Sequence, residues 1–113
     1  MKRRVGILLL TSMISISHAS ADMTVSEFIK LLNGKNRIQA LLYINGIGTG
    51  YIFANSKQKS ESRPMLFCQP NNLALGPEQY INFVQTAVQR APTLRNESLG
   101  MVLLFELADA FPC

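Results

Sequence analysis

Apolar side chains recur along this chain at intervals of three and four rather than two, in four blocks separated by polar, glycine- or proline-containing stretches. The first block places Val25, Phe28, Ile29 and Leu32 on one helical stripe. Thr24 stands just before it and Glu27 three residues later, the T-x-x-E pattern in which each side chain caps the other's backbone N–H. Gly34 is the expected stop. Together these predict a short amphipathic helix of about ten residues.

The second block, Asn36 to Asn55, is rich in apolar residues but carries Gly46, Gly48 and Gly50. Each interior glycine costs a helix about 1 kcal/mol relative to alanine. The apolar positions still repeat at three to four and no proline interrupts them, so a buried helix is preferred to two short strands. Its glycines would let another helix approach closely. A phosphate-cradling reading of Gly46-x-Gly48-x-Gly50 fails, because no Lys-Ser/Thr follows and no strand precedes.

Residues 55–66 turn polar and lead to Pro64, which predicts a solvated loop of about a dozen residues. Lys57, Lys59 and Arg63 surround Glu61 there and form the candidate partner contact. Phe67-Cys68-Gln69-Pro70 follows as an anchored turn. Pro77 after Gly76 suits the first turn of a third helix, with Glu78 beside its positive end. Tyr80, Ile81, Val84, Ala87, Val88 and Ala91 form its stripe, and Pro92 stops it. A last helix is predicted from about Asn96 to Ala110, with Leu99, Val102, Leu103, Glu106 and Ala110 near one face and Phe105 on a second strip. The class is therefore all-α: a small four-helix domain with no internal repeat and no second domain.

The N-terminus changes how composition is read. Lys2, Arg3 and Arg4, then the apolar run Val5–Ile16, then Ala19-Ser20-Ala21 have the order of a cleavable secretory signal over residues 1–21. Val5–Ala21 holds five serines or threonines and His18, too polar for a retained span. The working domain is then 22–113, exported to the periplasm, with no stable membrane insertion after cleavage. Its eight Lys and Arg against seven Asp and Glu leave a net charge of about +1, in place of +4 for the whole chain, so charge argues against a nucleic-acid partner. His18, the single histidine, leaves with the leader.

Export brings Cys68 and Cys113 into an oxidising compartment, where two cysteines permit a single intramolecular connection. No C-x-x-C is present, and two cysteines without histidine are too few ligands for a metal. Glu106 and Asp109, three apart, could share a helix face but read as solvated acids. The chain is read as a non-enzyme without cofactor or metal.

In the C-terminal half, Phe67-Cys68-x-Pro70, Glu78-Gln79-Tyr80 at a helix start, the Pro92 break and the final Ala110-Phe111-Pro112-Cys113 form a recognisable set. They resemble the small periplasmic immunity proteins of the Rap/Tai type, which protect bacteria with type VI secretion from peptidoglycan-cleaving amidase toxins. Tyr43-Ile44-x-Gly46-Ile47-x-x-Gly50 is similar to that family's glycine-containing second helix. The resemblance implies a helical protein, commonly a homodimer, that occludes the catalytic cleft of an amidase toxin, and it assigns the Cys68–Cys113 bridge. Many relatives carry a further cysteine pair in the N-terminal half, one member of it where this chain has Ala40-Leu41-Leu42, and this chain lacks that pair. The family motifs are scaffold, so they assign no toxin-contacting residue. Two other classes stay open: a periplasmic acid-stress or chaperone-like helical protein, and an adaptor of an envelope assembly.

Overall fold

Thr24 and Glu27 cap each other at the start of the first helix: Thr24 Oγ1 accepts from the Glu27 N–H at 3.2 Å, and Glu27 Oε2 accepts from the Thr24 N–H at 3.0 Å. This helix, α1 (Val25–Asn33), ends at Gly34 and buries Val25, Phe28 and Leu32. The structure, a computed structural model, describes residues 22–113; the expected leader over 1–21 lies outside the described residues.

The second block is one helix, α2 (Arg37–Ser60), and it does not stop where the composition turns polar. The expected loop over 55–66 is therefore corrected: Lys57 and Lys59 are helical, and the irregular connection starts at Glu61. Polarity alone does not end a helix, because lysine and glutamine are good helix formers. Lys57 also reaches Glu61 one turn on, at 2.8 Å. The break comes at Ser62, whose φ of 54° lies in the left-handed region, and at Pro64. Asn55 then pins the returning chain to α2, donating to the Phe67 carbonyl at 3.0 Å and accepting from the Leu66 N–H at 2.7 Å.

Helix α3 (Pro77–Arg90) opens on its proline, and Gln79 Oε1 accepts the Gly76 N–H at 2.9 Å. Tyr80, Ile81, Val84, Ala87 and Val88 are buried along the predicted stripe. Pro92 ends the α-helical run and starts a 3-10 turn, Pro92–Asn96. The last helix, α4 (Leu99–Ala110), begins three residues later than expected, with Ser98 as its N-cap. Residues 97–99 are instead extended against 23–25, where Thr24 and Ser98 form an isolated antiparallel bridge. Two backbone bonds flank it: Val25 N–H to Glu97 O at 3.0 Å and Leu99 N–H to Met23 O at 2.9 Å. The described residues contain no strand beyond this bridge.

The core lies where α1, α2, α3 and α4 meet, around Phe28, Ile44, Tyr80, Leu99, Leu103 and Leu107. Helix α2 is not the buried helix the pattern suggested. Ala40, Ile44 and Gly48 are its buried positions, while Ile38 is 71% exposed, Leu42 68% and Phe53 69%. The remaining helices cover one face of α2, and its apolar residues run all the way round.

At Gly48 the expected close approach occurs. A Cβ built there would lie 2.1 Å from Cε2 of the Tyr80 ring, so the ring lies directly against the α2 backbone. Gly46 and Gly50 face open space. Tyr80 is 1% exposed, and that burial raises its phenol pKa. Cys68 and Cys113 are bonded across 45 residues of sequence, and the Cys68 N–H donates to the Phe111 carbonyl at 2.7 Å. The end of α4 is thereby held to the chain leaving α2, beside buried Phe67.

Gly48→Ala should destabilise the protein by about 1–3 kcal/mol, since the methyl group displaces a buried aromatic ring. Gly46→Ala should leave stability unchanged or raise it by up to about 1 kcal/mol; urea denaturation of both variants checks the contrast. Cys68→Ser or Cys113→Ser removes a 45-residue cross-link worth about 4 kcal/mol in the chain-entropy model. Its loss should show as a markedly lower melting temperature than the oxidised protein has.

Candidate functional site

Two places on the molecule concentrate polar chemistry: a carboxylate knot at Asp22, and the basic C-terminal end of α2 beside that helix's uncovered face. The knot is the one sequence reasoning missed. The Asp22 carboxylate accepts from the Tyr43 hydroxyl at 2.6 Å, from the Gly100 N–H at 2.8 Å and from the Ser98 hydroxyl. Tyr43 in turn accepts the Met23 N–H at 3.3 Å, and the Tyr51 hydroxyl donates to the Gly100 carbonyl at 2.5 Å. Gly100 makes room for this, since a Cβ there would stand 3.0 Å from the Tyr51 oxygen and 3.2 Å from Asp22 Oδ2.

The electrostatics make this a structural element. Burial pushes the Asp22 carboxyl pKa up, but hydrogen bonds from Ser98, Tyr43 and the backbone of Gly100 and Met23 outweigh it and hold the pKa below its ordinary 3.8. An ionised carboxylate at the start of α4 also meets that helix's positive end. Tyr43 is raised chiefly by its hydrogen bond to Asp22, and Tyr51 by burial and then by the Asp22 charge. Both phenols therefore stay protonated donors at neutral pH, and the carboxylate's lone pairs are occupied. The cluster is poorly suited to abstract a proton from a substrate.

The sequence-predicted contact residues share one end of the molecule. Lys57 and Arg63 flank Glu61 at 2.8 and 3.4 Å, so one acid partly balances two bases. Lys59 takes part in none of the ion pairs among the described residues. It borders a shallow hollow of about 250 Å³ with Ile52, Ser56, Met65 and Asn71. Ile38, Leu42 and Phe53 extend from this basic end along the outer face of α2, and residues 38–56 carry no charge at all. That combination of an apolar strip and mobile-length cationic side chains suits protein contact.

Glu106 and Asp109 do not act as a carboxylate pair. Arg90 claims Glu106, with Nη2 to Oε1 at 2.5 Å and Nη1 to Oε2 at 3.4 Å. That hydrogen bond, more than the nearby charges of Glu106 and Asp109, raises the Arg90 pKa. Among the described residues no group of His, Cys, Asp and Glu could hold a metal ion, and no helix is long and apolar enough to cross a membrane. No protein-family model, curated protein or solved structure matches the chain.

A carboxyl whose pKa is lower folded than unfolded stabilises the fold above its unfolded value, and that contribution disappears as pH falls through the folded value. Stability should accordingly drop as pH is taken below about 3.8. Asp22→Asn should cost about 1–3 kcal/mol at pH 7, because the amide brings donors where Ser98, Tyr43 and Gly100 already donate. The variant should also show a flatter acid limb than wild type in chemical denaturation at a series of pH values.

Proposed function

We propose that this chain is a periplasmic immunity protein that binds a peptidoglycan amidase effector of type VI secretion and occludes its active site. The observation that carries the reading is the joining of its two most specific sequence features. The Phe67-Cys68-Gln69-Pro70 turn and the Phe111-Pro112-Cys113 terminus meet through the disulfide and the Cys68–Phe111 backbone hydrogen bond. The all-α architecture agrees with what the sequence resemblance implies. In this reading the protein works by binding alone, without catalysis or cofactor, as a folded domain that needs no ordering when it docks. Lys57, Lys59 and Arg63 make the electrostatic contact with the toxin, and the apolar α2 face beyond them is left to the homodimer.

The test is a peptidoglycan cleavage assay with an amidase effector encoded beside this chain, to which the exported, purified protein is added. Stoichiometric loss of cleavage is expected. Reversing Lys57, Lys59 and Arg63 to glutamate should weaken the complex about tenfold or more without unfolding the domain, the melting temperature falling modestly as the pairs with Glu61 are lost. Undiminished cleavage with excess protein would remove the immunity reading; unchanged affinity of the triple variant would remove that end of α2 from the interface.

The homodimer belongs to the same proposal, and exposed Ile38, Leu42 and Phe53 are the apolar side chains available to build it. Leu42→Glu should then convert a dimer into a monomer in sedimentation velocity.

One observation favours the second reading, an acid-stress chaperone. Protonating Asp22 would untie α1, α2 and α4 together. That reading requires the protein to suppress aggregation of a client below pH 3.8 and the inhibitor reading does not, so a client light-scattering assay at low pH separates them.

A further inference from the structure

A trough runs along the outside of the α3–α4 pair. It consists of two hollows in line, of about 590 and 420 Å³, which share Arg90 and Glu106 as a common wall. The larger hollow has Leu75, Phe83 and Phe111 on its floor, the two rings meeting edge to face at 6.0 Å. The smaller has Leu94, Met101 and Phe105, and Phe105 is 58% exposed with nothing over it among the described residues. Arg90 and Glu106 bridge α3 to α4 between them and fix the width of the trough.

Its charge is the opposite of the rest of the domain. Across residues 22–113 bases slightly outnumber acids, yet Arg90 is the sole base lining the two hollows, against Glu97, Glu106 and Asp109. Arg90 engages Glu106 and feels the Asp109 charge, and among the described residues Glu97 and Asp109 take part in none of the salt bridges. These two carboxylates stand near opposite ends of α4, roughly 15–20 Å apart at 1.5 Å per residue. An extended chain at about 3.3 Å per residue spans that distance in about six residues.

We infer that this trough docks an extended segment of a partner protein, about six residues long, with a basic residue at each end and apolar side chains between. The end charges face Glu97 and Asp109, and the apolar side chains enter the hollows on either side of the Arg90–Glu106 bridge. The inference does not depend on the immunity reading, because it follows from the shape and charge of this face alone.

The test is an NMR titration of the exported, purified protein with the peptide Arg-Leu-Ser-Leu-Ser-Arg, compared with Glu-Leu-Ser-Leu-Ser-Glu. The basic peptide should shift the resonances of Met101, Phe105 and Phe111, and the acidic peptide should not. The exposed double substitution Glu97→Gln with Asp109→Asn should keep the fold, seen as an unchanged amide spectrum elsewhere, and weaken the basic peptide about fivefold or more. Absence of shifts at those residues with the basic peptide, equal response to both peptides, or undiminished binding by the double variant would each overturn the proposal.

Discussion

The Asp22 carboxylate is the point on which the arrangement of three helices depends. It stands just before α1, receives the Tyr43 hydroxyl from α2, and receives Ser98 and the Gly100 N–H from the start of α4. A single charged group thereby fixes the N-terminal ends of α1 and α4 against the first third of α2, and the Thr24–Ser98 bridge follows from the same apposition. The fourth helix is registered differently. Tyr80 of α3 lies on the bare backbone at Gly48, and the disulfide then ties the end of α4 back to the chain between α2 and α3. A domain of this size buries a modest share of its surface, so each of these devices supplies a sizeable part of its stability.

This mode of assembly determines what remains on the surface. Helix α2 is held by one face alone, which leaves Ile38, Leu42 and Phe53 outside and sets the bases of its last turn beside them. The Arg90–Glu106 bridge closes α3 onto α4 but leaves an apolar trough with acidic ends. The molecule thus presents two faces of opposite charge, each with exposed apolar area, while its most chemically elaborate cluster is locked in hydrogen bonds. That distribution suits contact with other proteins.

Much of the fold was legible in the sequence because the signals were local. Thr24 with Glu27, Pro77 after Gly76, the stripe from Tyr80 to Val88 and the pairing of two cysteines each depend on neighbours or on simple counting, and each appears as expected. Local composition misleads at residues 55–60, where the change from apolar to polar predicts a loop, although the backbone breaks only at Ser62 and Pro64. The depth of α2 could not be read from periodicity, since apolar residues on all sides do not say how many sides are covered. The Asp22 knot was invisible for another reason: its partners lie 21 to 78 residues away, and nothing in the spacing of Tyr43, Ser98 and Gly100 marks them as neighbours. Lys57, Lys59 and Arg63 stand out in the sequence as bases on an expected loop; the structure keeps the charges, sets two of them on α2, and shows that Glu61 partly offsets Lys57 and Arg63.

The measurement that bears most directly on the functional account is survival of cells that direct the amidase effector to their own periplasm. Cells that also produce this chain with its N-terminal 21 residues should grow normally, and cells that produce residues 22–113 in the cytoplasm should lyse. Lysis in both cases, or equal protection by the cytoplasmic form, would contradict an inhibitor that meets its toxin in the periplasm.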